Sequence, residues 1–168
     1  MRIEEINAMD RAAFVAALGW IFEESPWVAG RAWESRPFVS IAELHGAMKD
    51  EVERATLDEQ LALLRAHPDL GSSKRMSAAS VGEQAGAGLD RLTQDEFERL
   101  RDLNIAYRVK FGFPFLFAVK GSTMRDILDA MLRRFAREPE EEFLEAREQV
   151  YRIARGRLPA EQSPAEEN

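Results

Sequence analysis

The strongest constraint on the fold of this chain is a series of helix-start signals that recurs along most of its length. A Ser, Thr or Asp side chain at the position before a helix accepts a backbone N–H of the first turn, and an acidic residue three positions later often completes a capping box. Most of these signals precede apolar residues at helical spacing. The predicted cap residues are Asp10, Ser40, Thr56, Ser80, Thr93 and Thr123. This pattern predicts an all-α protein.

One apolar run does not fit the helical pattern by itself. Residues 113–119 are almost entirely apolar, with Pro114 near the start, and by propensity alone they could form a short buried strand. No partner strand is evident elsewhere, so we predict a buried turn that leads into a helix. Together, the patterns predict a single compact domain of about seven or eight helices over residues 1–158. The Pro-, Ala- and Glu-rich residues 159–168 are predicted to be a disordered tail.

The composition narrows the class of function. A chain of 168 residues that is 45% hydrophobic can bury one substantial core. A net charge of −7 and a pI near 5.0 argue against a nucleic-acid partner and favour a small-molecule ligand. No apolar run approaches the ~18 residues that span a bilayer, so we expect no membrane association. The absence of Cys excludes disulfides and thiolate nucleophiles, and neither terminus carries a secretory or peroxisomal signal, so we expect a cytoplasmic protein.

Two residues are candidates for acid–base chemistry. His67 precedes Pro68 at a predicted helix end, and an imidazole titrates near ~6.5, close to working pH. By local sequence alone, the favoured interpretation of His67 is a polar residue at a helix end. Glu83 could be merely the capping-box partner of Ser80. We find no metal-ligand spacing, nucleotide-binding glycine loop or nucleophile elbow, so we expect neither a metal nor a cofactor.

Several ordered motifs resemble one enzyme family. They are His67-Pro68-Asp69-Leu70-Gly71, the segment from Ser80 to Leu89, Leu103-Asn104 with Tyr107, and Lys110-Phe111-Gly112-Phe113-Pro114-Phe115. The similarity to OHCU decarboxylases extends from about Ile6 to about Leu158. It implies a cofactor-free enzyme of uric acid breakdown that removes CO2 from 2-oxo-4-hydroxy-4-carboxy-5-ureidoimidazoline (OHCU), an anionic heterocycle, and forms (S)-allantoin. The resemblance also implies a homodimer.

The resemblance further implies a role for individual residues. His67 would be the general acid and Glu83 its companion in catalysis. The residues expected to line the substrate pocket are Pro68, Ser80, Val81, Gly82, Gln84, Phe115, Leu116, Phe117, Ala118, Val119 and Arg157. Arg155 is an alternative to Arg157 because it lies only two residues away. Two other functions stay open: a helical small-molecule binding domain without catalysis, and the same acid–base chemistry on another ureide.

Overall fold

The computed structural model describes residues 1–72 and 77–161, and in these ranges it contains helices and no strand. The prediction of an all-α protein is therefore confirmed. The nine α-helices of these ranges are α1 Ile3–Asn7, α2 Arg11–Leu18, α3 Trp27–Ala32, α4 Ile41–Arg54, α5 Leu57–Ala66, α6 Ala78–Gly86, α7 Gln94–Phe111, α8 Met124–Phe135 and α9 Pro139–Arg157, with one 3-10 helix at Trp33–Ser35. None of the described helices is long and apolar enough to cross a membrane.

Five of the six predicted cap residues begin a helix. Each of the five side chains accepts the backbone N–H of the residue three positions later, at 2.8–3.2 Å. The confirmed caps are Asp10, Ser40, Thr56, Thr93 and Thr123. These bonds satisfy N–H groups that have no acceptor within the helix. They explain why the helix starts were predictable from short segments.

The sixth prediction is wrong, because α6 starts three residues before the expected position. Ser77 is the N-cap, and its Oγ accepts the backbone N–H of Ser80 at 3.2 Å. Ser77 offers the same capping group as Ser80, and the two alanines that follow it are strong helix formers, so the helix begins there. Ser80 lies buried within the first turn. Glu83 is consequently not the partner of a capping box.

The helix α2 also ends earlier than its apolar pattern indicates. The pattern continues through Phe22, but α2 stops at Leu18 and the chain turns at Gly19. A Cβ atom at Gly19 would lie 2.5 Å from the carbonyl oxygen of Val15 and 3.1 Å from Cβ of Pro26, so only glycine fits. Phe22 is still buried beyond the turn. The spacing of apolar residues therefore predicted correctly which side chains are buried, but it predicted too long a helix.

The described residues form two compact units, of which the first comprises Met1–Leu63 and the segment that starts at Ala154. In this unit α3 packs against both α2 and α4. At the N-terminus of α4, the side chain of Glu161 accepts the backbone N–H groups of Ile41 and Ala42, at 3.4 and 2.7 Å. Most of the predicted disordered tail, 162–168, lies outside the described residues. The assignment of residues 1–158 to one domain stays a prediction.

The second unit, Leu64–Ile153, is built around an aromatic cluster. The ring of Tyr107 on α7 lies 4.5 Å from that of Phe111, 6.1 Å from Phe113 and 5.4 Å from Phe115, measured between centroids. Gly112 ends α7 with φ +79°, a left-handed conformation that glycine adopts without strain. Residues 113–119 then continue without helix or strand and are largely buried. The prediction that this run is buried and forms no strand is therefore confirmed, but the run is irregular, and the chain turns only after it, at residues 120–121.

Candidate active site

His67 is buried directly after the end of α5. The helix ends at Ala66, and the backbone N–H of His67 donates to the carbonyl oxygen of Leu64 at 3.3 Å. Only 5% of the surface of His67 is exposed to solvent. Pro68 stops the helix because the residue before a proline is disfavoured in the α conformation. The predicted position of His67 at a helix exit is confirmed. A buried imidazole at the end of a helix is shielded from bulk water.

Two side chains of α7 hold the segment that follows His67. Nδ2 of Asn104 donates to the carbonyl oxygen of Leu70 at 2.9 Å. The guanidinium of Arg108 pairs with Oδ1 of Asp69 at 2.8 Å through Nη2 and at 3.2 Å through Nε. The first contact is buried and the second is partly exposed. The backbone after His67 is therefore fixed by α7 at two successive residues.

The helix α6 contacts the same segment through one of its predicted site residues. Oε1 of Gln84 accepts the backbone N–H of Gly71 at 2.8 Å. Ser80 and Gln84 are buried, Glu83 is half-buried, and Val81 and Gly82 are exposed. The structure thus joins α6 to the segment after His67, with Glu83 next in sequence to the residue that makes the contact. Val81 and Gly82 lie on the solvent-exposed side of α6.

The five predicted pocket residues at 115–119 divide by burial. Phe115, Leu116 and Val119 belong to the core, whereas Phe117 and Ala118 are half-buried. The rings of Phe115 and Phe117 are nearly parallel, at 12°, with centroids 6.0 Å apart. Of this segment, Phe117 and Ala118 therefore offer the most side-chain surface to a ligand.

Two buried side chains that the sequence analysis missed support residues 115–119, which we call the wall. Nη1 of Arg134 donates to the carbonyl oxygen of Leu116 at 2.6 Å, and the backbone N–H of Ala118 donates to Oε1 of Gln149 at 2.9 Å. Two backbone groups of the wall are thus already engaged within the protein. A signal for Arg134 was available, because it continues the helical spacing of the buried Ile127, Ala130 and Met131 on α8.

Arg134 belongs to a buried charged cluster. Arg134 is only 2% exposed, and Glu142 is fully buried. Two nitrogens of Arg134 contact Oε1 of Glu142, Nε at 2.8 Å and Nη2 at 2.5 Å. The hydroxyl of Tyr107 donates to the same carboxylate oxygen. The guanidinium carbon of Arg134 lies 4.4 Å from the centroid of the Phe115 ring. The cluster therefore connects α7, α8 and α9 to the wall at 115–119.

We predict that Tyr107 makes the stability of the protein fall at alkaline pH. Burial, followed by the hydrogen bond to Glu142, raises the pKa of Tyr107 above its ordinary value of 10.0. The folded protein then keeps a proton that the unfolded chain releases above pH ~10, so the free energy of unfolding should decrease as pH rises through that range. Urea unfolding at several pH values checks this. The decrease should be smaller in Tyr107→Phe, and an equal decrease in both proteins would contradict it.

Arg157 lies in the first unit, where it is paired with a buried acid. Nη2 of Arg157 lies 2.9 Å from Oε2 of Glu23, Nη1 donates to the carbonyl oxygen of Ile21 at 3.3 Å, and both side chains of the ion pair are 3% exposed. Nη1 of Arg155 donates to the carbonyl oxygen of Pro159 at 3.3 Å. A substrate contact by either arginine stays a prediction.

Among the described residues, no group of three or more acidic or histidine side chains could hold a metal ion.

Sequence and structure comparisons with known proteins agree on one family. Residues 7–159 match the profile of the OHCU decarboxylases. A 2-oxo-4-hydroxy-4-carboxy-5-ureidoimidazoline decarboxylase of Haloferax volcanii is 48% identical, with 94% of each chain covered. A uric acid degradation bifunctional protein of Bacillus subtilis is 46% identical over 93% of this chain and 32% of its own length. The crystal structure of an (S)-allantoin synthase has a TM-score of 0.72 and 35% identity, covering 92% of this chain and 51% of that one. With a match over nearly its whole length, this chain belongs to the OHCU decarboxylase family.

Proposed function

We propose that this chain decarboxylates OHCU to (S)-allantoin and CO2 in uric acid degradation. The observation that carries the proposal is the placement of His67, buried directly after α5, in a chain whose relatives are named for this reaction and its product. The hydrogen bond between Gln84 on α6 and Gly71, in the segment after His67, adds support. The same helix carries the second predicted catalytic residue, Glu83.

The chemistry of OHCU allows decarboxylation without a separate electron acceptor. Its carboxylate is attached to a carbon next to a ring C=N bond. When the bond to CO2 breaks, its electron pair forms a carbon–carbon double bond, the C=N pair moves to nitrogen, and the nitrogen takes a proton. The resulting enol gives up its hydroxyl proton as the neighbouring ring carbon gains one. The face that receives this last proton sets the configuration of allantoin.

We assign this stereospecific protonation to His67 as general acid. A positioned acid accelerates such a step by roughly 10²–10⁴-fold. The remaining acceleration comes from orientation of the ring and exclusion of water around the carboxylate. Glu83 acts with His67, while Pro68, the 80–84 segment and the 115–119 wall line the pocket. An arginine, Arg157 or Arg155, offers a charged contact to the anionic substrate.

The direct test is to mix the purified chain with freshly generated OHCU and follow allantoin by circular dichroism. We expect (S)-allantoin to form faster than the spontaneous decay of the substrate, with an optical signal proportional to enzyme concentration. Because OHCU also decays spontaneously, both the rate and the enantiomer must be recorded. Racemic allantoin formed at the background rate would refute the proposed function.

Glu83→Gln tests whether this carboxylate takes part in the chemistry. Because Ser77, and not Ser80, caps α6, the substitution removes no capping-box bond, so we expect a normally folded protein. If the carboxylate acts in proton transfer, kcat should fall by about 10²-fold or more. Steady-state kinetics with OHCU measures this, and Glu98→Gln, at an exposed position on α7, is the matched control. Near-normal turnover in Glu83→Gln would remove Glu83 from the mechanism.

The family resemblance also supports a homodimeric assembly, and the sequence supports a cytoplasmic location.

A further inference from the structure

The segment at 68–72 borders a cavity on one side, which makes its hydrogen-bonded anchors significant. It contains no helix or strand, and it lines a cavity of about 100 Å³ through Asp69, Leu70, Gly71 and Ser72. Asn104 lies on the same cavity. A segment beside a cavity is not confined by packing on that side, so hydrogen bonds must fix its position.

Asn104 is the buried anchor of this segment on α7. The residue is 4% exposed, and its Nδ2 donates to the carbonyl oxygen of Leu70, 34 residues away in sequence. Its other polar atom, Oδ1, is buried and meets no donor among the described residues. A buried acceptor without a donor reduces stability, and an aliphatic side chain of similar size would avoid that cost. An aliphatic side chain would, however, leave the carbonyl oxygen of Leu70 without this donor, so what asparagine supplies here is the hydrogen bond that fixes Leu70.

A displacement of Leu70 would be transmitted to His67. Only two residues separate them, and one is Pro68, whose ring fixes its φ angle. The backbone on the other side of His67 is held by the end of α5. The short connection between Leu70 and His67 thus has few free torsions in which a shift can be absorbed.

We propose that Asn104 is a positioning residue for His67. It acts through the carbonyl oxygen of Leu70, and it holds the imidazole in the orientation from which the proton is delivered. The kinetic part of this inference rests on the proposed function; the structural part, the dependence of the His67 ring on Asn104, does not.

The test uses Asn104→Leu and Asn104→Asp, which remove the donor to Leu70 while keeping similar volume. Arg101→Gln is the matched control, because Arg101 lies one turn earlier on α7, lines the same cavity and has a side chain 53% exposed. Each protein is first shown to be folded by circular dichroism at the assay temperature. With OHCU, we expect kcat of both Asn104 variants to fall by about 10–100-fold, with KM changed less than about threefold, because a misplaced acid loses rate more than substrate affinity. The control should keep wild-type values.

A second measurement is independent of activity. The chain has two histidines, so imidazole resonances in an NMR spectrum belong to His67 or His45, and a His45→Gln variant assigns them. We expect the His67 ring signals to shift in Asn104→Leu, while those of His45, on α4, stay unchanged. If wild-type protein does not turn over OHCU, the proposed function fails while the NMR result still decides whether Asn104 positions His67. Unchanged His67 signals, or a folded variant with normal kcat or with only a raised KM, would overturn the inference.

Discussion

Replacing His67 with alanine should lower the turnover of OHCU by about 10²-fold or more while the helical fold survives. The reason for the loss is that no other side chain of the site is assigned to deliver the proton. The fold should survive because His67 follows α5 and is not part of a helix, and the contacts of Asp69, Leu70 and Gly71 do not involve its side chain. Steady-state kinetics with background decay subtracted measures the effect.

His45→Ala is the control for this prediction, because it removes the other imidazole of the chain from α4 and should leave kcat near normal. If His67 and Glu83 serve one step, the double variant His67→Ala/Glu83→Gln should be little slower than the slower single variant. Additive losses would assign the two residues to separate steps. A folded His67→Ala protein with near-normal turnover would exclude the general-acid role.

Replacing Arg134 with methionine should reduce the free energy of unfolding by about 3–5 kcal/mol, because it leaves the carboxylate of Glu142 buried without its counter-charge. The same substitution removes the donor to the carbonyl oxygen of Leu116. Urea unfolding followed by circular dichroism measures the change. Arg133→Met, one residue away and exposed on α8, should change stability by less than about 0.5 kcal/mol.

The double variant Arg134→Met/Glu142→Gln separates loss of the ion pair from creation of an unpaired charge. It should be more stable than Arg134→Met alone, because no buried charge remains and Tyr107 can still donate to the amide oxygen at position 142. If Arg134→Met lowered the free energy of unfolding by less than about 1 kcal/mol, the buried pair of Arg134 and Glu142 would contribute no more than an ordinary exposed ion pair, which would contradict the prediction.

Local interactions account for what the sequence predicted well. A cap such as Thr93 and the N–H of Glu96 are three residues apart, so the whole interaction is visible in a short segment. The same locality explains the error at α6: Ser77 and Ser80 offer equivalent hydroxyl groups, and the choice between them depends on the helix that follows. The family resemblance then supplied the site roles that local patterns left open for His67.

Partners distant in sequence could not be predicted in this way. Asn104 and Leu70 are 34 residues apart, and Arg134 and Leu116 are 18 apart, so no local pattern pairs them. The spacing on α8 places Arg134 on the buried face, but a single arginine on such a face does not reveal its acceptor. The supports of the site are therefore visible only in three dimensions.

The burial pattern along 115–119 also bears on how this enzyme can change during evolution. Phe115 and Leu116 are core residues, so substitutions of their side chains carry a stability cost. Phe117 and Ala118 are half-buried, and the contact of Ala118 with Gln149 uses only its backbone N–H. Mutational drift can therefore explore new side chains at these two positions while the scaffold persists, so they are the positions at which the proposed pocket can be varied with the least loss of stability.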